Sequence, residues 1–207
     1  MKSLFAPANP TSPRSLRLSC FRGLFALAAV VLLVAGCDLL APAEFDPTGT
    51  TFTLNSDVNV VSITGSPQTS PYGPMTMAMT IASNSGSATS AVLPAGLFFR
   101  RRNSSNQHVI LLKDQTITTA ASGNRTIQLG AFCCNRTLRQ PGIDDIFDIG
   151  PVTDDADLQR IISLVRNKNI TDGNDMFMVQ RAVWMVTDST GLTQAYVDSI
   201  NALPAAR

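Results

Sequence analysis

The chain has 207 residues, of which 16 are basic, 15 are acidic and 44% are hydrophobic. Four bases and no acid precede Cys37, so the residues from Cys37 onward carry a net charge near −3. This charge argues against a nucleic-acid partner, which would require a clustered basic face. The part that follows Cys37 is long enough for one domain with a hydrophobic core.

Residues 1–36 are predicted to be a secretory signal. Residues 24–37 form an unbroken apolar stretch, and Lys2, Arg14 and Arg22 are among the bases that precede it. The stretch is shorter than the roughly 20 apolar residues that a membrane span needs. Its length and its small residues at the end are typical of a signal peptide. One interpretation of this signal is a plain secretory signal in which Cys37 has no further role, and the other is the signal of a lipoprotein.

The last four residues of this stretch, Val34-Ala35-Gly36-Cys37, resemble the lipobox of bacterial lipoproteins. The resemblance implies cleavage before Cys37 and attachment of lipid to its sulfur. Two or three acyl chains hold a protein to a bilayer almost permanently. The protein would then lie in the cell envelope, anchored on the non-cytoplasmic side of a membrane. Asp38 resembles the signal that retains enteric lipoproteins in the inner membrane and slightly favours that location.

Residues 37–49 are predicted to be a lipidated tether, and residues 50–135 an antiparallel, Ig-like β-sandwich. Two prolines and a glycine make the tether partly extended. Residues 84–99 resemble the Ig-like modules of bacterial surface proteins. Short segments with strand patterns are separated by turn residues, as in such sandwiches. These predicted strands are residues 51–54, 58–63, 75–81, 97–100, 108–112, 116–120 and 126–129. Ser122-Gly123-Asn124 is predicted to join the last two as a hairpin.

The segment of residues 75–81 alternates with the period of a strand. Met75, Met77, Met79 and Ile81 fall on one face, which is therefore expected to be buried. Thioethers also bind soft copper ions. We nevertheless expect the methionines to fill the core, which is their commonest role.

Residues 136–207 are predicted to form a group of about three helices packed on the sandwich, which makes the fold class α+β. Asp154 is expected to cap the first helix, because acids follow it in the first turn and apolar residues then recur at helical spacing. The second helix, residues 174–186, is apolar on nearly all sides and is expected to be central. The third is predicted at residues 193–202.

The chain offers few residues for catalysis or metal binding. His108 is its only histidine, it has no G-x-S-x-G motif, and it has no glycine-rich phosphate loop. One histidine makes a poor zinc site. The acids between Asp144 and Asp157 fit no calcium loop and are expected in turns and caps. We therefore predict that the protein is not an enzyme and that it holds no metal and no cofactor.

Two features remain to be explained. Cys133 and Cys134 are adjacent, so on a strand their side chains point to opposite faces and an unstrained disulfide between them is not expected. They are buried spectators, a strained vicinal disulfide, or reactive. Gln180 has apolar residues three and four positions away on both sides, so it is predicted to point into packing, where its amide needs a partner.

Together these features resemble the thioester domains of bacterial surface adhesins. Phe132-Cys133 matches the aromatic-Cys motif of that family, and residues 179–184 (VQRAVW) match its later Gln motif. The resemblance implies that the Cys133 sulfur attacks the Gln180 carboxamide, that ammonia leaves, and that the resulting thioester reacts with a target amine. The alternative is a buried Gln180 hydrogen-bonded to the backbone, beside two inert core thiols.

The sequence therefore predicts a membrane-anchored bacterial lipoprotein with a non-catalytic binding or structural role at the cell envelope. Its expected partners are the membrane, through the lipid on Cys37, and an unidentified envelope or surface protein. The alternative function is that of an adhesin that forms a covalent bond to a target amine through a Cys133–Gln180 thioester.

Overall fold

The computed structural model of the protein describes residues 44–206. The predicted signal, Cys37 and Asp38 therefore lie outside the described residues. The described part belongs to the α+β class, with antiparallel sheets and three helices. The predicted class and the predicted number of helices are confirmed.

Eight strands form two antiparallel sheets. They are β1 (Val58–Gly65), β2 (Met75–Ser83), β3 (Ser90–Leu93), β4 (Leu97–Arg101), β5 (Val109–Ile110), β6 (Gln115–Thr118), β7 (Asn124–Cys133) and β8 (Phe147–Val152). Six of them form the larger sheet in the order β1-β2-β7-β5-β4-β8, and β3 pairs with β6 in the smaller sheet.

The larger sheet separates two hydrophobic cores, because successive side chains of a strand point to opposite faces. On β4, Phe99 lies in the first core and Phe98 in the second. The first core also contains Leu93 of β3 and Ile117 of β6, so it lies between the two sheets. The second core contains most of the buried apolar residues of the helices. The central strands of the larger sheet are therefore covered on both faces.

The methionine face of β2 belongs to the first core. Met77, Met79 and Ile81 are fully buried there, and Met75 is 4% exposed. The prediction that the methionines pack in the core is confirmed.

Three helices follow β8: α1 (Ala156–Val165), α2 (Gly173–Thr187) and α3 (Gln194–Asn201). Asp155 caps α1, because its carboxylate accepts the backbone N–H of Leu158 at 2.9 Å, so the prediction of Asp154 as the cap was wrong by one residue. Asp172 caps α2 in the same way. Within residues 44–206, no helix combines the length and the apolar character that crossing a bilayer requires.

Helix α2 is less central than its apolar sequence predicts. Val179, Ala182 and Val183 are fully buried in the second core, but Phe177 is 54% exposed. One face of α2 therefore meets the sheet and another meets solvent.

The hairpin predicted around Ser122-Gly123-Asn124 is wrong. Gly123 does turn the chain, with φ at +72°. The turn joins strands of different sheets, however, because β6 pairs with β3 whereas β7 pairs with β2 and β5. Neither β3 nor β8 is predicted from the sequence, so β7 was the only neighbouring strand expected to pair with β6. Residues 51–54, also predicted as a strand, form none.

Strand β2 ends before it reaches the last residue of β7. Its outermost pair is Met75 with Ala131, so the pair two residues further in the same register would join Gly73 to Cys133. Instead the chain crosses β7 closely at Gly73, where an added Cβ would lie 2.4 Å from the carbonyl oxygen of Ala131. Pro74 also has no N–H to donate. The backbone of Cys133 is thus left without a strand partner on the side of β2.

Candidate functional site

The structure brings Cys133 and Gln180 together. The backbone N–H of Cys133 donates a hydrogen bond to Oε1 of Gln180 at 2.8 Å. In return, Nε2 of Gln180 donates to the carbonyl oxygen of Cys133 at 2.7 Å. Both residues are only 3% exposed. The side-chain amide of Gln180 therefore satisfies both backbone polar groups of one buried residue.

The position of this contact follows from the pairing of β7. On the side of β5, the N–H of Cys134 donates to the carbonyl of His108. Since neighbouring residues of an antiparallel strand direct their backbone groups to opposite sides, those of Cys133 face the side on which β2 has ended. The carboxamide of Gln180 carries one donor and one acceptor, as a strand residue does. It continues the hydrogen-bonding pattern where β2 cannot.

The two adjacent thiols lie on opposite faces of β7, as predicted. Cys133 belongs to the first core and Cys134 to the second, and both are free. Burial raises the pKa of Cys133 to about 12. Burial, together with the proximity of Cys133 and Asp188, raises the pKa of Cys134 well above its usual range. Both sulfurs are therefore protonated thiols at neutral pH, and a disulfide between them would require the strand to reorganise.

A small cavity of about 180 Å³ lies at this contact. Cys133 and Gln180 both line it. Its other walls come from the start of β2, from α2 and from two side-chain amides: Pro74, Met75, Phe177, Trp184, Gln107 and Gln140. The walls are mostly apolar and contain no charged side chain. The cavity, hereafter the Cys–Gln cavity, therefore offers no charged group that would bind an ion.

Gln107 was not singled out by the sequence analysis, although it lines the Cys–Gln cavity. Its Nε2 donates to the carbonyl of Leu138 at 2.8 Å, and its Oε1 accepts the indole N–H of Trp184 at 3.2 Å. Gln107 is 4% exposed. It thereby fixes the indole ring that forms one wall of the cavity. The only signal in the sequence was a polar residue directly before an apolar strand.

His108 does not take part in this site. It is not among the residues that line the Cys–Gln cavity, and its Nδ1 accepts the backbone N–H of Arg101 at 3.2 Å. Burial and the nearby positive charge of Arg101 lower the pKa of His108 to about 4. It is a neutral, buried hydrogen-bond acceptor at physiological pH.

The acid clusters have structural partners. Asp145 accepts hydrogen bonds from Arg139 and from the N–H of Gly142, and Asp157 accepts the N–H of Leu192. In the part of the chain that the structure describes, no three His, Cys, Asp or Glu residues lie close enough together to hold a metal ion.

No family model, no curated protein and no solved structure was found to match the chain. The site must therefore be interpreted from its own geometry. That geometry leaves two roles for the carboxamide of Gln180, which can close the hydrogen-bonding pattern of β7 or react with the Cys133 thiol of the same cavity.

Replacing Gln180 by methionine tests the first role. We compare Cys133→Ala with Cys133→Ala/Gln180→Met, so that no thioester contributes to either variant. Methionine fills a similar volume but leaves the N–H and C=O of residue 133 buried without partners. Because each orphaned group costs about 1–3 kcal/mol, the second change should lower the free energy of unfolding by about 2–6 kcal/mol in urea denaturation. Gln68→Met, at an exposed loop residue, should change it little. If Gln180→Met and Gln68→Met lowered the free energy of unfolding equally, Gln180 would not be the hydrogen-bond partner of the Cys133 backbone.

His108 should make stability depend on pH between about 4.5 and 6.5. In the unfolded chain its pKa is about 6.5, so it takes up a proton in this range, whereas the folded protein does not until about pH 4. The free energy of unfolding should therefore fall as the pH falls through this window. Asp148, whose pKa is lowered by its hydrogen bond to Arg102, titrates below it. In His108→Asn, urea denaturation at several pH values should show a flatter profile, and identical profiles would refute this role.

Proposed function

We propose that the protein is a lipid-anchored envelope protein whose folded part binds its target covalently, through an internal thioester between Cys133 and Gln180. The observation that carries the proposal is the pair of hydrogen bonds that holds the Gln180 carboxamide against the Cys133 backbone, inside a small apolar cavity. Two residues 47 positions apart, which the sequence linked by resemblance alone, are in direct contact.

The proposed reaction balances without a cofactor. The Sγ atom of Cys133 bonds to Cδ of Gln180, the Cδ–Nε2 bond breaks, and the nitrogen leaves with the thiol proton as ammonia. A target amine then attacks Cδ, the Cδ–Sγ bond breaks, and the sulfur regains a proton. The products are an amide between Gln180 and the target and a free Cys133 thiol. Each site reacts once, so this is attachment rather than turnover.

Local chemistry supports the first step in two ways. The N–H of Cys133 donates to Oε1 of Gln180, so it would stabilise the negative charge that develops on this oxygen during attack. The mostly apolar walls of the cavity lower the local polarity, which strengthens this hydrogen bond. Because burial raises the pKa of Cys133, thiolate is scarce, and the thiol must attack while its proton passes to the leaving nitrogen.

The second candidate function is non-covalent binding or a purely structural role in the envelope. The complete hydrogen bonding of the Gln180 amide and the raised pKa of Cys133 favour it, since a satisfied carboxamide beside an inert thiol needs no reaction to explain it. In this case Gln180 acts only as the missing strand partner of Cys133.

The anchor and the Ig-like character belong to the same proposal. The lipobox-like end of the apolar stretch supports lipidation of Cys37, and Asp38 supports the inner membrane. Two antiparallel sheets around one core support an Ig-like sandwich. The partners are then the membrane and an amine-bearing surface or envelope protein.

The mass of the protein tests the thioester. Residues 38–207, produced without the signal and lipid, should be lighter than the sequence mass by one ammonia in electrospray mass spectrometry. Cys133→Ala should restore the sequence mass, once the substitution is allowed for, because the nucleophile is gone. Cys134→Ala is the matched control, since its thiol lies on the other face of β7, and it should keep the deficit. A full mass with a Cys133 that alkylates after unfolding would end the proposal in favour of the second candidate.

Fatty-acid labelling tests the anchor. Cells that express the full chain with a fatty-acid probe should incorporate label into the wild type, because the lipid is attached to Cys37. Cys37→Ser should abolish the label, whereas Cys20→Ser, which removes the single cysteine of the predicted signal, should keep it. An unlabelled wild type, or a labelled Cys37→Ser variant, would contradict lipidation at this residue.

A further inference from the structure

A second concavity lies directly beside the Cys–Gln cavity. It has a volume of about 330 Å³ and lies between α2, α3 and the segment that follows β7. Trp184 lines both concavities, so its ring forms the wall between them. We call this second concavity the arginine cleft, because Arg136 and Arg181 line it. A molecule that extends around Trp184 can occupy both.

The two arginines of the cleft lie over aromatic rings. The guanidinium carbon of Arg136 is 6.0 Å from the ring centroid of Trp184, and that of Arg181 is 5.9 Å from the ring centroid of Tyr196. Stacking on a ring restrains the planar guanidinium and leaves its N–H edge free to donate. The cleft therefore holds two restrained donor groups.

The two arginines of the cleft have no acidic partner. Four arginines form salt bridges: Arg100, Arg101, Arg102 and Arg139. Among the described residues, Arg136 and Arg181 form none, as is also true of Arg125, Arg160 and Arg166, but these last three do not line the cleft. The single carboxylate of the cleft, Asp188, accepts the backbone N–H of Arg136 at 3.1 Å. The cleft thus carries two positive charges and one negative charge, in a protein whose residues after Cys37 have a net negative charge.

We propose that the arginine cleft binds a carboxylate-bearing peptide segment of the target, and thereby directs a neighbouring lysine of the same segment to Gln180. The fork of a guanidinium matches a carboxylate with two parallel hydrogen bonds. Asp188 disfavours anions of higher charge, such as phosphate, because it adds repulsion within the cleft. The carboxylate site is independent of the thioester, whereas the choice of lysine rests on the function proposed above.

The same charges affect the incoming amine. Nearby guanidinium groups lower the pKa of an ammonium and so favour the free amine, which is the nucleophile. A carboxylate on the target offsets the repulsion during approach. A lysine that lies next to acidic residues should therefore react faster than one among neutral residues.

The only tryptophan of the chain provides a direct test of the carboxylate site, because Trp184 lines the cleft. Full-length protein in a neutral detergent is titrated with a capped peptide of alternating glutamate and alanine that contains no lysine, and tryptophan fluorescence is recorded. We expect saturable binding that weakens with added salt. Arg136→Gln and Arg181→Gln should each raise the midpoint about tenfold or more, since each removes hydrogen bonds to a charged group. Arg166→Gln, an exposed residue outside the cleft, should leave it unchanged.

A second arm measures capture. Two peptides each carry one lysine, flanked by glutamates in the first and by glutamines in the second, and adducts on Gln180 are quantified by mass spectrometry. The wild type should react several-fold faster with the acidic peptide. Arg136→Gln and Arg181→Gln should lose this preference, whereas Arg166→Gln, outside the cleft, should keep it.

Each outcome decides a separate claim. No saturation by the acidic peptide, or a midpoint unaffected by both arginine variants, overturns the carboxylate site. Inorganic phosphate that binds as tightly as the peptide overturns the assignment to carboxylates. Equal capture of both peptides overturns the directing role. If neither the peptides nor methylamine form an adduct, the thioester fails, and fluorescence alone still decides whether the cleft binds carboxylates.

Discussion

The two hydrogen bonds between the Gln180 carboxamide and the Cys133 backbone connect the sheet to the helices and create the candidate site. Close passage of the chain at Gly73, followed by Pro74, prevents β2 from pairing with the last residue of β7. A buried N–H and C=O would otherwise remain unsatisfied, at a cost comparable to a substantial fraction of the stability of a domain. Helix α2 supplies the missing partner from a side chain, which places the helix against the end of β7.

Both candidate functions begin from this one contact. As a structural device, the carboxamide ends the strand and fixes α2. As a reactive pair, the same carboxamide would be polarised by the backbone N–H of Cys133, in a cavity whose walls include Met75, Phe177 and Trp184. Trp184 is held by Gln107 and separates the Cys–Gln cavity from the arginine cleft. Gln107 and Arg136 therefore both contact the indole ring of Trp184, which lines both concavities.

Local patterns predicted local features well. The methionine face of β2, the opposite orientation of Cys133 and Cys134, the class of the fold and the need of Gln180 for a buried partner all follow from side-chain periodicity and hydrogen-bond satisfaction. The identity of that partner came only from a resemblance. Strands β3 and β8, the true partner of β6, the hydrogen bonds of Gln107 and the ring contacts of Arg136 and Arg181 were missed. These depend on pairing between distant residues, which is set by tertiary packing and leaves no period in the sequence. The exposure of Phe177 was missed for the same reason.

The exchange rate of the Cys133 backbone amide hydrogen, measured by NMR on residues 38–207, tests most directly whether a side chain replaces the missing strand. If Gln180 holds this N–H, the amide should exchange about as slowly as that of Ala131, which is paired with β2, because both require the core to open. Exchange as fast as that of the exposed turn residue Ser122 would contradict the account, since Cys133 would then meet water rather than Gln180.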